Sequence, residues 1–288
     1  MAERIVGIIG GSGLYEMAGL EILREESIST PFGEPSDRYV IGRLAGRTVA
    51  FLARHGRRHS LMPSELNFRA NIFGFKRLGA EWILSASAVG SMRETVKPLD
   101  ILIPDQFFDR TNGRPSTFFG RGLIAHVSVA DPVCPVLGDI LYQAGREQGA
   151  TVHRGGTYLC IQGPQFSTRA ESRIYRGWGV DVIGMTNLQE AKLAREAEIC
   201  YATMALVTDY DVWHETEEDV SVEAVVAILR QNATTAQAIL RAAVPRIPET
   251  RSCACAHALR DAIITPRDAV PADVQRDLAP IVGKYLGE

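Results

Sequence analysis

The chain has 288 residues, is 46% hydrophobic and 23% charged, and carries a formal net charge of −3. Such a composition is globular rather than disordered or fibrous, and so small a net charge implies no general affinity for nucleic acid. No apolar run approaches the ~20 residues that cross a bilayer, and the start "MAERIVGIIGGSG" lacks a signal-peptide pattern because Glu3 comes early and glycines interrupt the apolar run. A cytoplasmic enzyme that does not bind membranes is therefore expected.

Taken in chain order, "RIVGIIG" (4–10) is an apolar run closed by glycines and predicts a buried strand, as does "RTVAFLARH" (47–55). The stretch 63–80 predicts a helix, with Phe68, Ile72, Phe75 and Leu78 at helical spacing and Gly79 suited to its end. "EWILSASAVG" (81–90) and "DILIPDQF" (100–107) predict strands, and 135–149 a helix ending in Gly149. Strands follow at 157–163, 180–186 and 200–209. A helix lies in 166–179, with Thr168 and Glu171 spaced as a capping box. A long helix covers 221–244, with Ser221 as N-cap and Pro245 after it. There is no internal repeat, low-complexity tract or linker, and the alternation of strands and helices predicts one α/β domain around a central sheet.

Several strand ends carry chemistry. "GIIGGSGLYE" is a strand followed by a glycine-rich loop, but Glu16 stands where a dinucleotide fingerprint needs its third glycine, and no Walker Gly-Lys-Ser/Thr follows. Leu14 likewise breaks a nucleophile elbow around Ser12. What remains is a loop of amides and one hydroxyl, either an anion cradle or a plain turn. In "ARHGRRHS", Arg54, Arg57 and Arg58 surround His55 and His59. The arginine fork suits phosphate, and a solvated basic turn is the equal alternative. "SASAVGS" offers the hydroxyls of Ser85, Ser87 and Ser91, with Gly90 allowing close backbone approach, or serves tight sheet packing. The loops at Ser12, Arg54 and Ser87 each leave a strand, and ligands collect beyond strand carboxyl ends in open α/β sheets. Three anion-friendly loops there favour a phosphate site over three unrelated turns.

Phe166 and Ser167 precede a helix, where the aromatic is either a hydrophobic staple or a ring that stacks on a flat base. In "ALVTDYDVW" an apolar run ends in Asp209 and Asp211, which stop a strand or read a ligand. Val222, Val225, Val226 and Leu229 form a helical stripe, first of all a core face, whose first turn lies near the aspartate pair. Of the five cysteines, Cys160 and Cys200 read as small hydrophobes. Cys253, Cys255 and His257 alternate in "SCACAH", but the usual zinc pattern separates paired cysteines by about two to four residues and adds a second pair. A structural or redox role for Cys253 and Cys255 ranks above metal, and no metal site is expected.

These stretches together resemble the 5′-methylthioadenosine phosphorylases of the purine nucleoside phosphorylase superfamily. The resemblance rests on "GIIGGSGL", "TPFGEPSD", "LARHGRRHSLMPSELNFRANI", "GSMRE", "DQFFDRT", "GPQFSTRAES", "GMT", "ICYATMALVTDYDVW" and "VSVEAVV", which stand in family order. It implies a single domain over 1–288, with a central mixed β-sheet flanked by helices and a helical tail from about residue 245, where the match is less clear. It also implies a homotrimer with sites near subunit interfaces, and phosphorolysis of a nucleoside without metal or organic cofactor. By resemblance, Ser12, Arg54, His55, Ser87 and Thr186 hold phosphate, helped by the Ala88 amide; relatives often carry Thr at the Ser12 and Ser87 positions. Met185 lies against the ribose, and Phe166 and Ser167 against adenine. Asp209 faces N7 as the catalytic acid, and Asp211 helps bind the 6-amino group. A carboxylate accepts from an amine and repels the O6 carbonyl of 6-oxopurines, whose enzymes tend to carry Asn at the Asp209 position. Val222, Val225 and Val226 suit a methylthio group, where relatives preferring a 5′-hydroxyl place His. His126 matches a histidine contributed by the neighbouring subunit. "MTNLQE" departs from the Thr-Val-Pro-Glu usual after "MT", so Asn187 to Gln189 are expected to alter a loop near the base pocket. The competing readings are a broader purine nucleoside phosphorylase, a hydrolytic nucleosidase with no anion for Arg54 to bind, and a non-catalytic purine-binding protein.

Overall fold

The computed structural model describes residues 4–11, 14, 17–214 and 222–287, with the side chains of 222–225 and 227 outside that description. Its sheet is built on four parallel strands: β1 (Val6–Gly10) lies between β4 (Arg47–Ala53) and β5 (Trp82–Ser91), and β5 pairs on its other side with β11 (Cys200–Asp209). β3 (Tyr39–Leu44) and β2 (Leu20–Glu26) extend the β4 edge antiparallel. β5 is long enough for two neighbours on one side. Its start pairs with β1, and its end with antiparallel β10 (Val182–Gly184), followed by β9 (Thr157–Ile161) and β7 (Gln106–Arg110). β6 (Ile101–Ile103) runs antiparallel to β11 and carries β8 (Val152–Arg154). The chain is thus α/β with a central mixed sheet flanked by helices.

The central strands are buried on both faces, which is why they read as unbroken apolar runs. Ile8, Leu84 and Ala202 point to one face, against α2 (Pro135–Glu147) and α5 (Val222–Ala243). Ile83 and Tyr201 point to the other, against α1 (Phe68–Arg77), α4 (Asn187–Glu196) and α6 (Ala272–Leu286). Beyond α5 the tail is helical, and Val274, Leu278 and Ile281 of α6 pack into this second core.

Three local features differ from the sequence expectation. The first helix starts at Phe68 rather than Pro63, because the Asn67 side chain accepts from Ala70 N at 3.1 Å and caps it there. "DILIPDQF" is two strands in different parts of the sheet, broken at Pro104, which has no N–H to give a ladder. Residues 187–196 form α4, whose first turn, Asn187 to Gln189, is where the sequence reading placed a loop. The capping box of α3 (Arg169–Gly177) is present: Glu171 N donates to Thr168 Oγ1 at 3.2 Å, and Glu171 Oε2 accepts from Thr168 N at 2.8 Å. The expected N-cap Ser221 lies outside the described residues.

Candidate functional site

β1, β4, β5 and β11 run in one direction, so their carboxyl ends open on one side of the sheet. A cavity of about 590 Å³ lies there, lined at one end by Gly11, Arg54, His55, Ser87, Ala88 and Thr186, and at the other by Phe166, Asp209, Asp211, Val226 and Leu229, with Met185 also in its wall. Ala88 is the exposed residue of a strand otherwise buried, so β5 opens to solvent there.

Arg54 is 1% exposed. Its Nε donates to Glu190 Oε1 at 2.5 Å and its Nη2 to Glu190 Oε2 at 3.1 Å, so the planar fork is taken by a carboxylate of the protein itself. Nη2 also donates to Ser85 Oγ at 2.6 Å and Nη1 to the Ala86 carbonyl at 2.8 Å. Of the five N–H groups on guanidinium, one on Nη1 has no partner among the described residues and is available to a ligand. Burial alone would lower the Arg54 pKa, but the charge and hydrogen bonds of Glu190 outweigh it and raise it. Arg54 is thus a permanent buried cation.

Asn187 ties this end together. The two hydrogens of its Nδ2 are shared among three oxygens, Tyr201 Oη at 2.7 Å, Ser85 Oγ at 2.9 Å and Thr203 Oγ1 at 3.0 Å, and its Oδ1 accepts from the Ser87 hydroxyl. Asn187 to Gln189 are therefore the buried first turn of α4, beneath the Arg54 end of the cavity, and not a base-pocket loop. Thr186 is the N-cap of that helix but spends no side-chain hydrogen bond on capping. Thr186 lines the cavity, so the positive end of α4 lies beside it, a favourable place for an anion.

The His55 pKa is pushed down to about 4, first by burial and then by the Arg54 charge. The ring is neutral at pH 7. Its Nδ1 lies 2.9 Å from the Leu61 carbonyl, which only accepts, so Nδ1 carries the proton and Nε2 is left as an acceptor. His59 stacks on it at 4.7 Å. Arg57 instead pairs with Glu25 at 2.7 Å and Asp37 at 3.5 Å on the exterior, and neither it nor Arg58 lines the cavity. For those two arginines the solvated-turn reading holds.

At the opposite end, β11 carries a bulge. Its register passes from Val207 opposite Val89 to Asp209 opposite Gly90, so Thr208 is an extra residue that re-aims Asp209. Gly90 is required there, since a Cβ would sit 2.8 Å from Asp209 Oδ1. Thr208 Oγ1 donates to Asp209 Oδ2 at 2.6 Å, and Asp211 N donates to Oδ1 at 2.8 Å. Burial raises the Asp209 pKa, the two hydrogen bonds lower it, and the Asp211 charge raises it again; the net direction is up. Asp211 has φ 53°, a left-handed conformation that Asp tolerates better than most residues. Its pKa is also raised, chiefly by burial, and the nearby Ser172 and Ser167 hydroxyls offset part of this. No hydrogen-bond partner is aligned on Asp211 Oδ2, and Ser167 Oγ is buried without one, among the described residues. Phe166 is 46% exposed at the rim. Arg114 donates to the carbonyls of Gln162 and Met185, fixing the two loops that bring Phe166 and Met185 to the cavity.

Residues 5–245 match the family described as the phosphorylase superfamily. The chain belongs to that superfamily. Among its relatives, the S-methyl-5′-thioadenosine phosphorylase of Koribacter versatilis is 59% identical over 98% of this chain and 97% of its own. That of Geobacter sulfurreducens is also 59% identical, over 99% and 100%. Among solved superfamily structures, a methylthioadenosine phosphorylase from an antarctic soil metagenomic library superposes with a TM-score of 0.92 at 51% identity, covering 98% of this chain and 99% of that one. The Schistosoma mansoni methylthioadenosine phosphorylase in complex with adenine gives 0.84 at 33%, covering 98% of each.

Of the residues singled out from sequence, Arg54, His55, Ser87, Ala88, Phe166, Met185, Thr186, Asp209, Asp211 and Val226 converge on this superfamily member's cavity. Ser167 sits behind it, near Asp211. His126 is exposed and away from the chain's own cavity, its N–H donating to the Ala262 carbonyl at 2.8 Å. Ser12 and the side chains of Val222 and Val225 lie outside the described residues. Glu190 and Asn187 were missed. Once α4 is recognised, two polar residues three apart on a buried helix face are the signal that finds them.

Proposed function

We propose that the chain catalyses phosphorolysis of S-methyl-5′-thioadenosine: a phosphate oxygen bonds to C1′, the bond from C1′ to adenine breaks, and 5-methylthioribose-1-phosphate forms. The observation that carries this reading is the pairing, in one cavity, of a cationic hydroxyl-bearing end with a buried carboxylate end. Phosphate takes the free Nη1 hydrogen of Arg54, the Ser12, Ser87 and Thr186 hydroxyls, the Ala88 amide, and Nε2 of neutral His55, which accepts the phosphate O–H. An anion so placed stabilises the oxocarbenium-like ribosyl cation by position and charge. Asp209, its pKa raised, delivers a proton to adenine N7 as the bond breaks. Asp211 Oδ2 accepts from the 6-amino group. Phe166 packs on the base with Ser167 beside it, Met185 on the ribose, and Val222, Val225 and Val226 on the methylthio group. Two carboxylates at the base end disfavour 6-oxopurines, and with them the broader phosphorylase.

In this reading the reaction uses no metal or organic cofactor, since phosphate is a co-substrate. The chain acts as one domain over 1–288 and as a homotrimer, with His126 completing a neighbour's site. Support for the trimer comes from exposed apolar side chains: Phe108 and Trp178 with rings 5.3 Å apart, Ile174 beside them, and Ile124 and Val129 flanking His126. No helix among the described residues is long and apolar enough to cross a membrane. A cytoplasmic enzyme of purine and methionine salvage, with neither nucleic-acid nor membrane partners, fits these features.

The test is to incubate purified protein with methylthioadenosine, with and without phosphate, and follow free adenine. Release that requires phosphate and yields the sugar phosphate is expected. Release at the same rate without phosphate, or none at all, contradicts the proposal.

A further inference from the structure

Four of the five cysteines meet at the opposite end of β11 from the cavity. Cys134 is the N-cap residue of α2, Cys200 opens β11, and Cys253 and Cys255 bracket the start of a short 3-10 turn (Ala254–His257) in the tail. Their Sγ atoms all lie within 4.8 Å of one another, with Cys134 to Cys253 at 3.8 Å and Cys200 to Cys253 at 3.3 Å. Three are buried and Cys253 is half-buried. Zinc held tetrahedrally by four thiolates at about 2.3 Å sets sulfur–sulfur edges of about 3.8 Å, so the cluster already has the dimensions of such a site.

The surroundings suit thiolates. The positive end of α2 lies at Cys134, and Arg195 Nη1 is 3.3 Å from Cys255 Sγ while its Nε donates to the Ser128 carbonyl at 3.2 Å. One guanidinium offsets part of the net negative charge of zinc with four thiolates. The sequence pattern failed to indicate metal because only one close pair exists. The second pair, Cys134 and Cys200, is assembled by the fold.

We propose that Cys134, Cys200, Cys253 and Cys255 bind one zinc ion as a closed tetrahedral site. Each thiol gives up its proton on binding. The ion ties the C-terminal tail to the start of α2 and to the first residue of β11. Cys200 and Asp209 stand nine residues apart on that strand, about 30 Å at ~3.3 Å per residue. The site is therefore structural and takes no part in the phosphorolysis proposed above; it stands or falls separately from that reading.

The experiment measures zinc in full-length protein purified without chelators, and counts thiols after denaturation in chelator. One zinc per chain and all five thiols are expected, with cobalt exchange giving the visible bands of a tetrahedral thiolate site. Metal-free protein overturns the proposal, whether it shows all five thiols or fewer through disulfide formation. Cys253→Ser should lower zinc content and melting temperature while leaving the nucleoside KM unchanged. Full zinc occupancy in that variant also contradicts the assignment. Because the metal and thiol counts use unaltered protein, the test survives a variant that does not fold.

Discussion

At the Arg54 end of the cavity the polar groups are anchored from the core: Glu190, Asn187, Ser85 and Tyr201 are all buried and bonded to one another or to Arg54 and Ser87. At the Asp209 end they are carried by a bulge, a left-handed residue and an exposed aromatic. The contrast separates two tasks. A cation that must stay charged is fixed by a network costly to disturb. In the proposed reading, a base that must enter, be read and leave is met by groups at a strand end and on loops, and Asp211 Oδ2 keeps no aligned partner among the described residues.

Breaking the anchored end should cost most. Glu190→Ala leaves Arg54 buried and unpaired and should destabilise the fold by about 3–5 kcal/mol in a denaturant titration. A loss under about 1 kcal/mol, the scale of an exposed ion pair, would mean that the network does not hold this end. Asn187→Ala removes the donor that meets Thr203 Oγ1 and the acceptor of the Ser87 hydroxyl, and should cost about 1–3 kcal/mol. It also frees Ser87, so the KM for phosphate should rise while that for the nucleoside does not; equal changes in both would erase the distinction between the ends.

The opposite end should give the reverse pattern. Phe166→Ala should weaken nucleoside binding by about 0.5–1.5 kcal/mol beyond its area term. The melting temperature should not change, because the ring is half exposed. A drop in melting temperature without a change in nucleoside KM would make the ring a staple instead. A separate effect falls on pH dependence. His55 titrates near 6.5 when unfolded and near 4 when folded, so below 6.5 the unfolded chain takes up a proton that the folded one refuses. Its contribution to stability is full above 6.5 and is lost as pH falls toward 4. Glu196, pushed up to about 7 by burial, works with the opposite sign as pH rises from 4.5. The difference between wild type and His55→Gln isolates the histidine: the variant should lose less stability on acidification, and parallel curves would contradict the buried neutral ring.

What the sequence made legible follows the same division. The central strands, the α3 capping box and the end of β11 at the aspartate pair are local signals, and they appear as read. Glu190 and Asn187 were not visible because their meaning depends on Arg54 and Ser87, more than a hundred and about a hundred positions away. "DILIPDQF" read as one strand because its apolar residues are continuous, while the pairing that splits it is long-range. The cysteine pairs were hidden for the same reason. Charge and hydroxyl content located the cavity; the partners that hold it could be found only in three dimensions.

The most direct measurement is the ratio of kcat/KM for methylthioadenosine to that for methylthioinosine, in wild type and in Asp209→Asn. The carboxylate is assigned to the adenine leaving group, and an amide can donate to a 6-oxopurine. The variant should therefore lose far more rate on methylthioadenosine, by about 10²–10⁴-fold if the proton transfer is lost, and the ratio should collapse. Equal losses on both substrates would contradict the account.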